Sequence, residues 1–263
     1  MIAIVSLLAL TMAAWLYIFV LSINMAEGDM SLMGMSSMKD MVVKDGAMNG
    51  FMNVKPQPWT LTTFALMFVM WWIMMIGMMV PSAAPMILLF ARIERKNASD
   101  KDPTLRCSFF TLGYLVAWLS FCVIATVLQW ALGKATLLSA MMDSSSYLLS
   151  AAIIAAAGLY QLTTLKEACL SYCRSPIQFL STHWRSGNNG AFRMGMNLGA
   201  YCIGCCWALM SLLFVGGVMN LLWVAALAVF VLLEKVVPQG PWISRGSGLA
   251  MLGFSIVLFL QAF

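Results

Sequence analysis

Long apolar runs separated by short polar connections cover most of the chain. The runs are 1–23, 60–91, 109–132, 147–165, 194–218, 221–237 and 246–263. Each has at least 17 residues, which is within the range of about 17–25 residues that a helix rising about 1.5 Å per residue uses to cross the roughly 30 Å hydrocarbon core of a bilayer. The pattern therefore predicts an all-α fold, a polytopic transmembrane helical bundle of about seven helices.

Polar positions divide the chain into three parts. Residues 1–23 have no Lys or Arg before the apolar run and no small-x-small cleavage site after it, which predicts a retained anchor helix. Residues 24–59 are polar and form an arm outside the bundle, and residues 60–263 form a six-helix transmembrane core. Within that core, Pro81 and Pro85 predict a kink or a break in the run 60–91.

The basic residues predict the orientation of the bundle. Eleven Lys and Arg residues fall in one set of connections and four in the alternate set. Cytoplasmic connections carry the excess of positive charge, so the amino terminus is predicted inside and the carboxyl terminus outside. The arm 24–59 then faces the exterior of the bacterial inner (cytoplasmic) membrane, which is the predicted location.

Composition narrows the function further. Apolar residues make up 62% of the chain and charged residues 10%, and the mean hydropathy is +0.89. These values argue against a soluble enzyme, a nucleic-acid-binding protein and a disordered linker. The chain also has no Gly-rich phosphate loop and no paired carboxylates. We therefore predict a membrane protein without enzymatic activity, in contact with the lipid bilayer and not with nucleic acid.

Methionine is unusually frequent, with 24 in the chain, of which 15 lie between Met25 and Met86. The thioether is a soft, uncharged donor that suits Cu(I). In the polar arm few other large apolar residues accompany the methionines, which favours metal capture over apolar packing or a helix lying on the membrane. The candidate ligands in the arm are Met30, Met33, Met35, Met38 and Met41.

The methionines continue into the second apolar run. Met67, Met70, Met74 and Met78 follow one another at steps of three, four and four residues. This spacing places them on one face of a helix, where they could pass a soft cation inward. Met74 and Met78 are the candidate ligands on this face, and ordinary helix packing is the alternative.

Three cysteines occupy one helical run in the fifth segment. Cys202, Cys205 and Cys206 are at positions i, i+3 and i+4, which lie within one face of an α-helix. Converging thiols bind soft metals once the metal neutralises the thiolate charge. The predicted orientation puts them in or near the reducing cytosolic half, which makes a disulfide framework the weaker interpretation. The alternative is that small cysteines simply pack well between helices.

Two more cysteines and a glutamate complete the candidate ligands. Cys169 and Cys173 form a C-x3-C pair, and with His183 they could make a cytosolic acceptor site. The second paired motif of a structural zinc fold is missing, so copper is favoured over zinc. Glu234 lies at membrane depth, where an ionisable residue is a functional candidate that could bind metal, pair with a basic residue or reach water.

Several stretches of the sequence resemble DUF2182, a family of bacterial integral membrane proteins described as predicted metal-binding proteins. The resemblance covers about residues 60 to 262. It rests on Met70-Trp71-Trp72, Gly77-Met78-Met79-Val80-Pro81-Ser82-Ala83-Ala84-Pro85-Met86, Gly158-Leu159-Tyr160-Gln161-Leu162-Thr163, Lys166, Cys169, Cys173, Arg174-Ser175-Pro176, Gly199-Ala200-Tyr201-Cys202-Ile203-Gly204-Cys205-Cys206-Trp207 and Glu234-Lys235. It implies metal binding and a Met-rich external segment before the second helix, but neither a substrate nor a direction of transport.

The sequence thus predicts a membrane protein that binds a soft transition metal, copper as Cu(I), for transport or delivery. Its partner would be a membrane complex or a copper enzyme. Two other functions stay open. One is a membrane thiol oxidoreductase that cycles pairs of the clustered cysteines, although pairs within one helix give strained disulfides. The other is a non-catalytic assembly or anchoring subunit.

Overall fold

A computed structural model describes residues 2–26, 60–97, 103–134, 147–218, 220–237 and 239–261. Within these ranges the chain is helical and contains no strand. The helices are α1 (Ile2–Ala26), α2 (Leu61–Asn97), α3 (Pro103–Lys134), α4 (Tyr147–Gln161), α5 (Thr164–Arg174), α6 (Pro176–His183), α7 (Gly187–Ser211), α8 (Leu213–Gly216), α9 (Leu221–Val236) and α10 (Gly240–Gln261). The predicted all-α fold is confirmed.

Five stretches of helix are long and apolar enough to cross a membrane. They lie in α1, α2, α3, α7 with α8, and α10, and the bent pair α4–α5 makes a sixth if it counts as one span. The run predicted at 221–237 forms the 16-residue helix α9, about 24 Å long at 1.5 Å per residue. These helices support a multi-pass membrane protein, while the number of spans and their orientation stay predictions.

The second apolar run forms one continuous helix, so of the two predicted alternatives, a kink or a break, the break is wrong. Helix α2 runs through both Pro81 and Pro85. Proline has no N–H to bond the carbonyl four residues earlier, which for Pro81 is the carbonyl of Gly77. The indole of Trp15 on α1 donates to that carbonyl at 3.1 Å. A side chain from a neighbouring helix thus supplies the missing donor, and it ties α1 to α2.

The fourth apolar run is shorter than predicted. Helix α4 ends at Gln161 rather than at residue 165, and α5 starts after a bend of 65°. Thr163 is extended and its side chain accepts a hydrogen bond from the Lys166 backbone N–H, so it caps the new helix. The bend turns α5 toward α7.

Helices α3 and α7 pack against each other at very short distance. A Cβ added at Gly113 of α3 or at Gly195 of α7 would overlap the backbone of the other helix. Small residues that let backbones approach in this way are typical of membrane helix pairs. Tyr114, next to Gly113, is fully buried against α7 as a result.

The methionine face of α2 lies in the interior of the bundle. Met67, Met70, Met74 and Met78 are each 4% exposed or less and belong to the buried core. Met67 accepts a hydrogen bond from the amide of Gln129 at 3.7 Å. The burial of these side chains agrees with the alternative that the methionine face serves ordinary helix packing.

Replacing Trp15 with Phe removes the indole N–H and keeps an aromatic ring. We expect the free energy of unfolding to fall by about 1 kcal/mol, because the Gly77 carbonyl loses its donor in a low-dielectric interior. In a Pro81→Ala background the helix itself regains an N–H for that carbonyl, so Trp15→Phe should cost less there. Thermal unfolding of the four proteins in detergent, treated as a double-mutant cycle, measures the difference. Equal losses in both backgrounds would contradict this account.

Candidate metal centre

Helix α7 brings three thiols together. Cys202, Cys205 and Cys206 are each 1% exposed. The Sγ atoms of Cys205 and Cys206 are 3.2 Å apart, and the Cys205 thiol donates to the Cys202 carbonyl at 3.2 Å. The spacing i, i+3, i+4 therefore presents all three sulfur atoms to one side of the helix.

Helix α5 adds a fourth thiol to this group. The Cys173 Sγ lies 3.9 Å from the Cys205 Sγ and is also a neighbour of Cys202. Two sulfur atoms bound to one metal at about 2.3 Å each can be at most about 4.6 Å apart, so this separation suits shared coordination. Cys173, Cys202, Cys205 and Cys206 are called the thiol cluster below.

Cys169 of α5 lies against Gly204, the residue before Cys205 on α7. A Cβ at Gly204 would be 2.7 Å from the Cys169 Sγ, which is closer than packed atoms approach. The Gly204 carbonyl accepts a hydrogen bond from the Tyr160 hydroxyl at the end of α4. The missing side chain at position 204 leaves room for the Cys169 thiol between α5 and α7.

A buried lysine lies against the thiol cluster. The Nζ of Lys235 is 3.0 Å from the Cys202 Sγ and 2.9 Å from the Ser82 Oγ, and the Tyr114 hydroxyl is 3.2 Å from the same sulfur. In the described part of the chain no carboxylate forms an ion pair with Lys235. An ammonium group beside a thiol favours the thiolate, which is the form that binds metal. Cys202 can therefore provide the negative charge that a buried ammonium needs.

Two members of the thiol cluster, Cys173 and Cys202, line a pocket between the helices. A cavity of about 200 Å³ is lined by Cys173, Cys202, Lys235, Tyr114 and Met86, among other residues of α2, α5 and α9. One water molecule in the liquid occupies about 30 Å³, so an ion with part of its coordination shell fits. Met86 brings a thioether from α2 to the edge of this space.

The thiol cluster supplies donors for a metal, but its sulfur atoms do not surround a single metal position. Within the described ranges, no three His, Cys, Asp or Glu side chains are already arranged to hold a metal ion. Thiol side chains turn about one torsion angle, and Cys173 and Cys202 border open space into which they can turn. The chemistry of the donors fits a soft ion such as copper, which thiolates and thioethers select.

Glu234, a predicted metal ligand, lies in a separate polar network. Its carboxylate accepts from Lys166 Nζ at 2.8 and 2.9 Å, from Gln161 Nε2 at 3.0 Å and from Ser244 Oγ at 2.8 Å. Consecutive residues of a helix point about 100° apart, which is why Lys235 reaches the thiols while Glu234 does not. Of the alternatives for Glu234, its position matches pairing with a basic residue.

The other predicted residues divide into three groups. Met74 and Met78 are core residues of α2. His183 stacks on Phe179, with ring centroids 4.8 Å apart, and lies among aromatic rings rather than with Cys173. The arm residues lie outside the described residues: Met30, Met33, Met35, Met38 and Met41.

Sequence reasoning missed the polar neighbours of Cys202, which are Lys235, Tyr114 and Ser82. The eleven basic residues counted in one set of connections include Lys166 and Lys235. In the structure both are buried, at 1% and 8% exposed. A signal was present, because Lys235 follows an uninterrupted apolar helix and directly succeeds a glutamate. Lysines at such positions belong to the interior unless they reach the membrane surface.

The arrangement defines a class of protein: a helical membrane protein with a buried set of soft-metal donors. The chain matches the model of the PpoB2 family, described as a copper chaperone, over residues 68–258, and it belongs to that family. The match covers every member of the thiol cluster. It supports the metal binding that the resemblance to DUF2182 implied, although the matching family carries a different name. No curated protein and no solved structure matches the chain.

Replacing Gly204 with Ala should separate α5 from α7. The added Cβ overlaps the Cys169 Sγ, so we expect slower cross-linking between Cys173 and Cys205 by a short thiol-specific reagent. Combining it with Cys169→Ala removes the overlapping sulfur and should restore the rate. Mass spectrometry of the linked peptides gives the measurement. A Gly204→Ala protein that cross-links as fast as the unchanged protein would show that the close approach is unnecessary.

Proposed function

We propose that this protein is a membrane-embedded copper chaperone that holds Cu(I) at the thiol cluster and delivers it to a copper-requiring enzyme or membrane complex. The carrying observation is the convergence of Cys173 from α5 with Cys202, Cys205 and Cys206 from α7 beside the ammonium of Lys235. The family description supports copper handling in a non-catalytic role. Copper is the cargo in this proposal, not a resident cofactor.

Charge balance and the softness of the donors together favour Cu(I) over zinc. Two thiolates and one Cu(I) ion carry a net charge of −1, which the ammonium of Lys235 balances to zero. Four thiolates around Zn²⁺ carry −2, and the same lysine leaves one negative charge uncompensated in an apolar interior. Uncompensated charge at this depth is costly. Zinc with three thiolates would be neutral, so softness of the donors is the second argument for copper.

The remaining parts of the proposal come from the sequence. The Met-rich arm, with Met30, Met33 and Met35 among its ligands, would capture the ion outside the bacterial inner membrane. The face of α2 that carries Met74 and Met78 would be either a relay or packing, and its burial favours packing. The ion would reach the thiol cluster, with Cys169 beside it, near the cytosolic side.

A thiol oxidoreductase is the second candidate. The structure adds one observation in its favour, because Cys173 and Cys205 come from different helices and their sulfur atoms are only 3.9 Å apart. This pair avoids the strain expected of neighbours within one helix. All seven cysteines are free thiols here. Alkylation that depends on redox conditions, in protein that binds no copper, would favour this candidate.

Copper content tests the proposed function directly. Purified full-length protein, loaded with Cu(I) and washed with a weak chelator, should retain copper in stoichiometric amount. The Cys202→Ser/Cys205→Ser/Cys206→Ser protein should retain little, because a hydroxyl is a hard donor. The matched control is Cys107→Ser/Cys122→Ser, which removes two buried thiols elsewhere and should leave copper content unchanged. Equal copper in the triple variant and the control, or no copper in any of them, would overturn the proposal.

Lys235→Met tests the charge argument. Removing the ammonium leaves the copper–dithiolate unit with an unbalanced charge, so we expect Cu(I) affinity to fall by about tenfold or more, in the range of outer-shell partners of metal ligands. Lys235→Arg keeps the charge and should lose less. Competition with a colorimetric Cu(I) chelator measures the affinity. Lys134→Met is the control, since Lys134 lies over the Trp130 ring on another helix. An unchanged affinity in Lys235→Met would contradict the argument.

A further inference from the structure

A second buried charged group lies one residue from Lys235. Glu234 on α9 and Lys166 on α5 are each 1% exposed and form an ion pair at 2.8 Å. Gln161, the last residue of α4, donates to the same carboxylate and also contacts Lys166. Ser244 of α10 donates to it as well. One carboxylate therefore joins the end of α4, the start of α5 and two further helices at the point where the chain bends by 65°.

We propose that Glu234, acting through Lys166, is a positioning residue of the thiol cluster that fixes α5 so that Cys173 reaches the sulfur atoms of α7. The proposal rests on the proposed copper function for its purpose. Its geometric content concerns the placement of one thiol and stands without a metal.

Helix periodicity connects the ion pair to the thiol. Lys166 and Cys173 are seven residues apart on α5, and seven residues of an α-helix return to within about 20° of the starting direction. Cys169 lies between them at i+3 on the same side. An anchor on Lys166 therefore fixes the rotation of α5 about its axis, and that rotation decides whether Cys173 points to Cys205. The distance along the axis is about 10 Å, only two turns.

Polar contacts near both ends of α5 tie this short helix to its neighbours: the Lys166–Glu234 pair near its start, and a hydrogen bond of 2.7 Å from Arg174 at its end to the Val237 carbonyl. The helix has 11 residues, and the backbone link to α4 is the two-residue turn at Leu162 and Thr163. The cap at Thr163 defines where α5 begins, but it does not fix its rotation against α7. A buried ion pair contributes little net stability compared with apolar residues of the same size, and its best-attested role is to select one arrangement among several. Glu234 is placed to do this.

The same junction contains a matched control pair. Glu167, next to Lys166, pairs with Arg245 of α10 at 3.3 Å, and both side chains are more than half exposed. Exposed pairs contribute little. A comparison of Glu234→Gln with Glu167→Gln therefore separates the buried anchor from charge neutralisation at the junction in general.

The experiment measures cross-linking of Cys173 to Cys205 without copper. The full chain carries Ser at 107, 122, 169, 202 and 206, and a membrane-permeant reagent of short span links the two remaining thiols. In Glu234→Gln we expect the rate to fall about tenfold, while Glu167→Gln keeps the starting rate. The exchange Lys166→Glu/Glu234→Lys should restore a large part of the rate, which a general loss of packing would not allow. If Glu234→Gln remains monodisperse in detergent and cross-links as fast as the protein with Glu234, the proposal is overturned.

A second variant covers the case in which Glu234→Gln does not fold. Lys166→Met/Glu234→Leu leaves no unpaired charge and keeps similar volume, so it should fold. We expect slow cross-linking in this protein, because apolar contacts do not specify the rotation of α5. Cross-linking as fast as in the protein with Lys166 and Glu234 would overturn the proposal. Copper content of the protein with all its cysteines reports separately on the proposed function, so the two can fail independently.

Discussion

The arrangement of the interior depends on the need to neutralise charge in a bundle that is otherwise apolar. Lys235 enters this environment with no carboxylate partner among the described residues, and it lies against the Cys202 sulfur and the Ser82 hydroxyl. A buried ammonium without a counter-charge would be strongly destabilising. Cys202 can balance it as a thiolate, and a thiolate is also one of the best donors for a soft cation. The contact between Lys235 and Cys202 thus contributes both to the stability of the fold and to the binding of metal.

Helix α9 serves both sides of the thiol cluster through two consecutive residues. Because successive side chains on a helix diverge by about 100°, Glu234 meets α5 while Lys235 meets α7. Both helices that carry cluster thiols, α5 and α7, therefore contact the same rigid helix, α9. Gly204 then sets how closely they approach, since its missing side chain leaves space for Cys169.

Much of this could be predicted from local pattern, and the rest depended on tertiary contacts. The apolar runs predicted the all-α fold, and the i, i+3, i+4 spacing placed Cys202, Cys205 and Cys206 on one face. The bend after Gln161 involves a distant contact as well as the local Thr163 cap, because Gln161 donates to Glu234, 73 residues away. Local pattern therefore does not place Cys173 with the cysteines of α7. The continuity of α2 likewise depends on Trp15, 62 residues from its acceptor.

The division of the thiols between two helices has a consequence for how cargo could leave. Three donors share one rigid helix, whereas Cys173 comes from a short one that turns on a two-residue link. A displacement of α5 would remove one sulfur atom and leave the other three in place. Ligand exchange would then proceed stepwise, with an incoming donor taking the vacated coordination position before the next bond breaks. The ion would never have to exist without ligands inside the bilayer, where bare charge has its highest energy.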